Sequence, residues 1–166
     1  MITDFATSET IEYVSNSLFA IKVAFIYEIS NLFEETGADV SMVAHGMSLD
    51  KRICDKFLKA GLGFGGSCFP KDLDALFYLA NQHGVDLKIV DACIKANKLQ
   101  KEYIVNKVKK ALNGSVTGKT IGVSGSAFKA DTDYIRGSPA IDIIKNLKLR
   151  GANINVYDPL AMDNMK

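Results

Sequence analysis

The sequence holds only three cysteines, Cys54, Cys68 and Cys93. An odd count in no repeating pattern makes no disulfide framework and fits a reducing compartment, the cytoplasm. Excess charge is also lacking. Twenty basic and nineteen acidic side chains leave a net charge of +1. That balance excludes broad electrostatic capture of nucleic acid or of an anionic membrane, and leaves any anionic ligand to a few local residues. No long hydrophobic run is present: the apolar stretch from Leu18 to Ile29 is broken by Lys22 and Glu28, so it is not membrane-spanning. The first ten residues are acidic and polar, unlike a secretory signal. Internal repeats, low-complexity tracts and a metal-ligand set are missing too. What the chain does have is a hydrophobic fraction of 48% over 166 residues. That is ample for a core, and the length suits one domain or one domain plus part of another.

Apolar periodicity divides the chain into two grammars. Ser8 and Glu9 open a long helix with apolar residues at Ile11, Val14, Leu18, Ile21, Phe25, Ile29 and Leu32, which Gly37 stops. Phe19, Ala24, Ile26 and Phe33 widen its stripe, so the helix is either a central core helix or one that packs against its own copy. Asp39 caps a short helix ending at Gly46, and Ser48–Asp50 starts another. A glycine-rich loop covers Phe57–Ser67. A helix from Pro70 to Gln82 ends at Gly84, and a second long one runs from Asp86 to Asn113-Gly114. Cys54 and Cys93 fall on apolar helical faces. Beyond the boundary at 113–118 the pattern changes. Thr120–Ser124 reads as a buried strand, Ser138-Pro139 caps a helix ended by Gly151, and Asn153–Tyr157 is a second strand closed by Asp158-Pro159. This is one β-loop-α-β unit of a parallel sheet. Gly122 and Gly125, with no third glycine, do not make a dinucleotide fingerprint. The fold class is therefore mainly α: a helical domain followed by the beginning of an α/β Rossmann-like domain.

The chemistry concentrates in Gly61-Leu-Gly-Phe-Gly-Gly-Ser-Cys-Phe-Pro-Lys-Asp72. Its glycines permit a tight backbone and close approach to a ligand. Pro70 suits the first turn of a helix, which sets Cys68 just before a helix N-terminus. The macrodipole there, with Lys71 beside it, favours thiolate. The bland reading is a small hydrophobic cysteine, as for Cys54 and Cys93; from the local residues alone the two readings of Cys68 are balanced.

The block from Gly63 to Asp72 resembles the catalytic-cysteine signature of the UDP-glucose/GDP-mannose dehydrogenase family. The likeness runs in register from about Thr3 to the end of the chain. It implies an NAD-dependent oxidation of a UDP-sugar's primary alcohol to a carboxylate, through a cysteine thiohemiacetal and thioester. It gives Cys68 the role of nucleophile, Asp72 that of assisting water and proton transfers, and Asn16 a hydrogen bond to the reacting oxygen. It implies substrate contacts from Arg52 (reaching a partner subunit's site), Phe57, Lys59, Gly65, Phe128 and Lys129, with Lys129 also toward the cofactor. It implies a helical dimerisation domain over 1–113 and a UDP-sugar-binding domain beginning at 114, so that the chain reads as a fragment without the family's N-terminal NAD-binding domain, inert alone. The expected partners are a UDP-sugar and a second copy through the first helix, with no nucleic acid or membrane.

Two positions depart from the family pattern. Glu12 stands four residues before Asn16, where the family carries an oxyanion-stabilising lysine. Ser126 replaces a larger apolar residue in Gly125-Ser-Ala-Phe-Lys129. Three readings stay open: a dehydrogenase for UDP-glucose, one for GDP-mannose or a UDP-N-acetyl sugar, and a non-catalytic dimerising remnant.

Overall fold

The structure, a computed structural model, describes residues 2–165. Its elements follow the sequence as α1 (Phe5–Thr36), α2 (Val40–Ser48), α3 (Phe69–Gln82), α4 (Lys88–Ala111), β1 (Thr120–Ser124), α5 (Pro139–Leu149) and β2 (Asn153–Tyr157), with a final 3-10 turn at Met162–Met165. The chain is mainly α, as its periodicity predicts. No helix among the described residues is long and apolar enough to cross a membrane.

Several boundaries differ from the sequence reading. Helix α1 opens at Phe5, not Ser8, because the Asp4 carboxylate accepts the Thr7 N–H and hydroxyl at 2.9 and 2.7 Å, satisfying a first-turn donor. Asp39 caps α2 as expected, but the helix runs through Gly46 to Ser48. No helix starts at Ser48–Asp50; the chain turns there and enters a loop in which Cys54 (φ 66°) and Phe57 (φ 63°) both adopt left-handed backbone. Cys54 is consequently an exposed loop residue and not part of an apolar helical face, whereas Cys93 is buried on α4 as read. Strand β1 is not buried: along both strands every second residue is exposed.

Two compact units result. One comprises the residues up to Gly61 together with Cys68–Asn97; the other comprises Leu62–Ser67 and the chain from Lys98 onward. In the first, α1 packs on α3 and α2, burying Ala20, Val23, Ala24, Ile26, Tyr27 and Leu73. A large aliphatic side chain so buried contributes about 2 kcal/mol. In the second, Val105 from the last turns of α4 joins Val116, Ile143, Leu147 and Ala152 beneath the sheet, with Ile121 and Ile154 packed against them. Strands β1 and β2 pair in parallel, Thr120 opposite Asn153 through Ser124 opposite Tyr157, with α5 as the crossover. The Leu62–Ser67 part of the glycine loop belongs to this second unit, although it lies between two helices of the first in the sequence. The reason is steric: Gly66 N–H bonds to Gly137 C=O at 3.2 Å, and side chains at Gly65 or Gly66 would prevent that approach.

Candidate active-site residues

In the first unit the sequence-predicted Asn16 and Asp72 meet directly. Asn16 Nδ2 donates to Asp72 Oδ2 at 2.7 Å across the α1–α3 contact. Asp72 is 1% exposed, and a carboxylate so buried needs partners. Its Oδ1 accepts no hydrogen bond but lies 3.2 Å from Lys71 Nζ as an ion pair. That contact, and behind it the charge of Asp72, holds the Lys71 ammonium above its ordinary range, with smaller contributions from Tyr13 and Cys68. Lys71 is largely exposed, so solvent screens the pair.

Cys68 is the residue immediately before α3 and is exposed. Its carbonyl accepts the Asp72 N–H at 2.8 Å, the first turn of the helix. No side chain caps this N-terminus, and Pro70 lies in its first turn. An exposed thiol at an uncapped helix start is open to an electrophile. Cys93 is the opposite case: burial, with the Glu28 charge adding, pushes its thiol up to about 11. Glu12 lies one turn before Asn16 on α1 and is exposed.

The remaining first-unit candidates sit on the loop after α2. Arg52 is exposed and closes back on Asp50, with Nε at 3.0 Å from Oδ1 and Nη2 at 2.5 Å from Oδ2. This pairing raises the guanidinium's pKa and lowers the carboxyl's. Lys22 Nζ bonds to the Ile53 carbonyl at 2.8 Å. That α1 lysine, which the sequence reading treats only as an interruption of an apolar run, anchors the turn presenting Arg52. Phe57 stacks on Phe19, centroids 4.4 Å apart and nearly parallel, and tilts against Phe69 at 5.8 Å. Lys59 lines a cavity of about 490 Å³ with Ser41, His45, Ser48 and Asp55.

In the second unit, Gly65, Phe128 and Lys129 gather with Gly137. A Cβ on Gly66 would stand 2.7 Å from the Phe128 ring. Phe128 meets Tyr134 edge-on at 5.5 Å, and Lys129 Nζ lies 5.3 Å from the Phe128 centroid, a cation–π distance. Asp158, seen in the sequence only as the end of a strand, organises this loop. Its Oδ2 accepts from Ser126 N–H (2.6 Å), Ala127 N–H (3.0 Å) and Ser126 Oγ (3.2 Å), and its Oδ1 from Leu160 and Ala161 N–H (3.0 and 2.9 Å). The backbone donors, Ser126 first, hold the carboxyl far below the usual carboxylate range. No short motif could have revealed this residue, because Ser126 and Ala127 lie more than thirty positions upstream.

The family model described as "UDP-glucose/GDP-mannose dehydrogenase family, central domain" matches residues 6–99, and that described as "UDP binding domain" matches 122–166. The chain belongs to the UDP-glucose/GDP-mannose dehydrogenase family. It is 48% identical over 160 residues to the UDP-glucose 6-dehydrogenase TuaD of Bacillus subtilis, covering 96% of the chain and 34% of that protein. It is 47% identical to a UDP-glucose 6-dehydrogenase of Rickettsia bellii, covering 99% of the chain and 38% of that protein. A solved UDP-glucose dehydrogenase from Pyrobaculum islandicum superposes with a TM-score of 0.92 at 37% identity, over 95% of this chain and 36% of that one. The chain thus spans little more than a third of the length of these family members.

Proposed function

We propose that this chain supplies the thiol-bearing part of an NAD-dependent UDP-glucose 6-dehydrogenase, with residues 1–113 as its central domain and 114–166 as the start of its UDP-sugar-binding domain. The observation that carries the reading is the part-buried Asn16–Asp72 bond one helical turn beyond an exposed Cys68. In the reaction, Cys68 thiolate adds to the carbon of the sugar's C6 aldehyde, forming a C–S bond and an alkoxide. Asn16 is the hydrogen-bond donor beside that oxygen. The thiohemiacetal would become a thioester by giving up a hydride to the nicotinamide oxidant that the family uses; water then attacks the acyl carbon, the C–S bond breaks, and thiolate leaves as the carboxylate forms. Asp72 takes the water's proton: Oδ2 is tied to Asn16, and Oδ1, which accepts no hydrogen bond, is ion-paired with the exposed Lys71.

NAD as the oxidant rests on the family alone. The loop after β1 does not fit a dinucleotide's pyrophosphate: a third glycine is lacking, and the N–H groups of Gly125 through Phe128 are bonded to Tyr157, Asp158 and Tyr134. Arg52, Phe57, Lys59, Gly65, Phe128 and Lys129 are the proposed UDP-sugar contacts. A second copy through α1 is the proposed partner, supported by exposed Ile11, Leu18, Phe25 and Leu32 at heptad spacing.

The test is alkylation of Cys68 by iodoacetamide, followed by mass spectrometry so that each cysteine is counted separately. UDP-glucose and UDP should slow the modification of Cys68, and GDP-mannose should not. Equal rates with and without every sugar nucleotide would overturn the reading, and protection by GDP-mannose alone would move the chain to the other branch of its family.

A further inference from the structure

Parallel βαβ units commonly bind phosphate at the loop after the first strand, where consecutive N–H groups converge on an anion. Here that loop already holds one. Five donors surround the carboxylate of Asp158: four backbone N–H groups and the Ser126 hydroxyl. Asp158 is 5% exposed and Ser126 fully buried. The neighbouring groups are occupied as well. Gly125 N–H bonds to Tyr157 C=O at 2.8 Å and Phe128 N–H to Tyr134 C=O at 3.0 Å, while the Ala127 carbonyl accepts the Ser138 hydroxyl at 3.4 Å. An external phosphate would have to displace a covalently attached carboxylate, whose effective concentration at the site is far higher.

We propose that Asp158 is a positioning residue: its carboxylate fills the anion nest at the end of β1, excludes phosphate from it, and fixes the loop whose Phe128–Lys129 end meets the UDP-sugar through side chains. The proposal rests on the UDP-sugar reading above. Ser126 gains a reason for its place, because a larger apolar side chain could not donate to Asp158 Oδ2. The fixed loop also seats Phe128 against Gly66, two residues before Cys68 in the sequence.

The experiment uses the whole 166-residue chain and the variants Asp158→Ala, Asp158→Asn and Ser126→Ala. Amide hydrogen exchange is followed residue by residue, and UDP affinity is measured by calorimetry. In the native chain the Ser126, Ala127, Leu160 and Ala161 amides should be protected, and inorganic phosphate should not alter them. Asp158→Ala should lower protection at these four amides and weaken UDP binding by roughly tenfold or more, with the β1–β2 ladder amides unchanged. Acetate or phosphate should then restore protection and, for acetate, part of the UDP affinity, a recovery that a purely structural role would not give. Asp158→Asn should fall between, and Ser126→Ala should cost about two- to threefold in UDP affinity. Unprotected Ser126 and Ala127 amides in the native chain would overturn the proposal. So would an unchanged UDP affinity in Asp158→Ala, or loss of the ladder amides in both Asp158 variants. A native chain that binds no UDP would overturn the UDP-sugar reading and this positioning role with it, while the exchange data would still decide whether Asp158 fills the nest.

Discussion

Gly65 and Gly137 approach so closely that a Cβ on Gly65 would lie 1.8 Å from the Gly137 carbonyl oxygen and 2.9 Å from Pro139 Cδ. The first neighbour is backbone, which cannot swing aside as a flexible side chain could. Gly65→Ala therefore has to separate the glycine loop from the 135–139 turn. The expected loss is about 1–3 kcal/mol in urea unfolding. Gly46→Ala is the internal contrast. Gly46 lies within α2 with nothing within 4 Å of an added Cβ, so this change should stabilise by roughly 0.5–1 kcal/mol. Equal effects of the two substitutions would mean that the close approach is not made.

Asn16 and Asp72 make a second test of packing chemistry. Asn16→Ala removes the Asn16 donor from a carboxylate that is 1% exposed and leaves it the Lys71 ion pair. The expected cost is on the order of 1–3 kcal/mol. Asn16→Asp, nearly the same in volume, should cost more, because two carboxylates then face each other at hydrogen-bond distance. Asp72→Asn replaces the acceptor while keeping its shape, and should be the mildest of the three. Equilibrium unfolding of the three variants ranks them; an Asn16→Asp variant as stable as the native chain would show that the bond does not form.

The contrast between these two sites explains what the sequence discloses. Helices α1, α3 and α4 are legible because apolar spacing of three and four survives along each of them, and glycines or caps mark most of their ends. The β-loop-α-β unit is legible for the same reason, with Ser138-Pro139 and Gly151 bounding α5. Cys68, Asp72 and Asn16 stand out through a contiguous motif and its register. The Gly65–Gly137 approach and the Asp158 nest leave no local pattern, since their partners lie 72 and about 32 residues away in the sequence. Asp4 illustrates a smaller loss: its capping role is local, but Ser8-Glu9 makes an equally good signal four residues later.

Asp158 gives the chain a definite acid response. The backbone donors of Ser126, Leu160, Ala127 and Ala161 depress its folded-state pKa. A depressed carboxyl contributes stability that is fully present above the unfolded-state value, about 3.9, and is lost as pH falls through the folded-state value. Unfolding of the native chain in urea should therefore become easier between pH 5 and pH 3, a range chosen to bracket about 3.9. Asp158→Asn should be less stable at pH 5 and should have a shallower slope over that interval. Parallel slopes for the two proteins would assign the acid sensitivity to other carboxylates. Asp4, Asp50 and Asp55 also have lowered pKa values, but Asp4 and Asp55 are exposed and Asp50 is half-exposed, so solvent screens them.

Glu12→Lys tests the charge at the candidate nucleophile. Tyr13, the next residue on α1, is close enough to Lys71 to act on its charge, and Asn16, one turn on, bonds to Asp72. Reversing the charge at position 12 places a cation near the start of α3, and a cation favours thiolate over thiol. Alkylation of Cys68 at pH 7, a rough working value, should accelerate by about two- to fivefold at low salt and less at high salt. Cys93, buried and pushed up to about 11, should stay unmodified in both proteins and serves as the control for unfolding. An unchanged Cys68 rate at low salt would mean that Glu12 exerts no field on the thiol.

The last prediction concerns the uncovered side of α1. Ile11, Leu18, Phe25 and Leu32 follow one another at intervals of seven residues and are 43%, 56%, 48% and 55% exposed, and Val14 lies between the first two. The helix buries a different set against α2 and α3, namely Ala20, Val23, Ala24, Ile26 and Tyr27. A seven-residue spacing is the register of a helix seam, and it drifts by about 20° per heptad on a straight helix. Such a row meets a partner helix best at a crossing of about 20°. A second copy of α1 offers the same row in the same register, which satisfies a two-fold interface with no further element. The native chain should therefore sediment as a dimer at about 20–50 µM, a concentration that populates an interface of micromolar affinity. Phe25→Lys sets a charge in the middle of the row and should shift the chain to monomer with little change in its helical content. Tyr78→Lys, on an exposed position of α3 away from the row, should leave the dimer intact. A monomeric native chain at that concentration would refute the interface. A dimer that survives Phe25→Lys but not Tyr78→Lys would transfer it to α3.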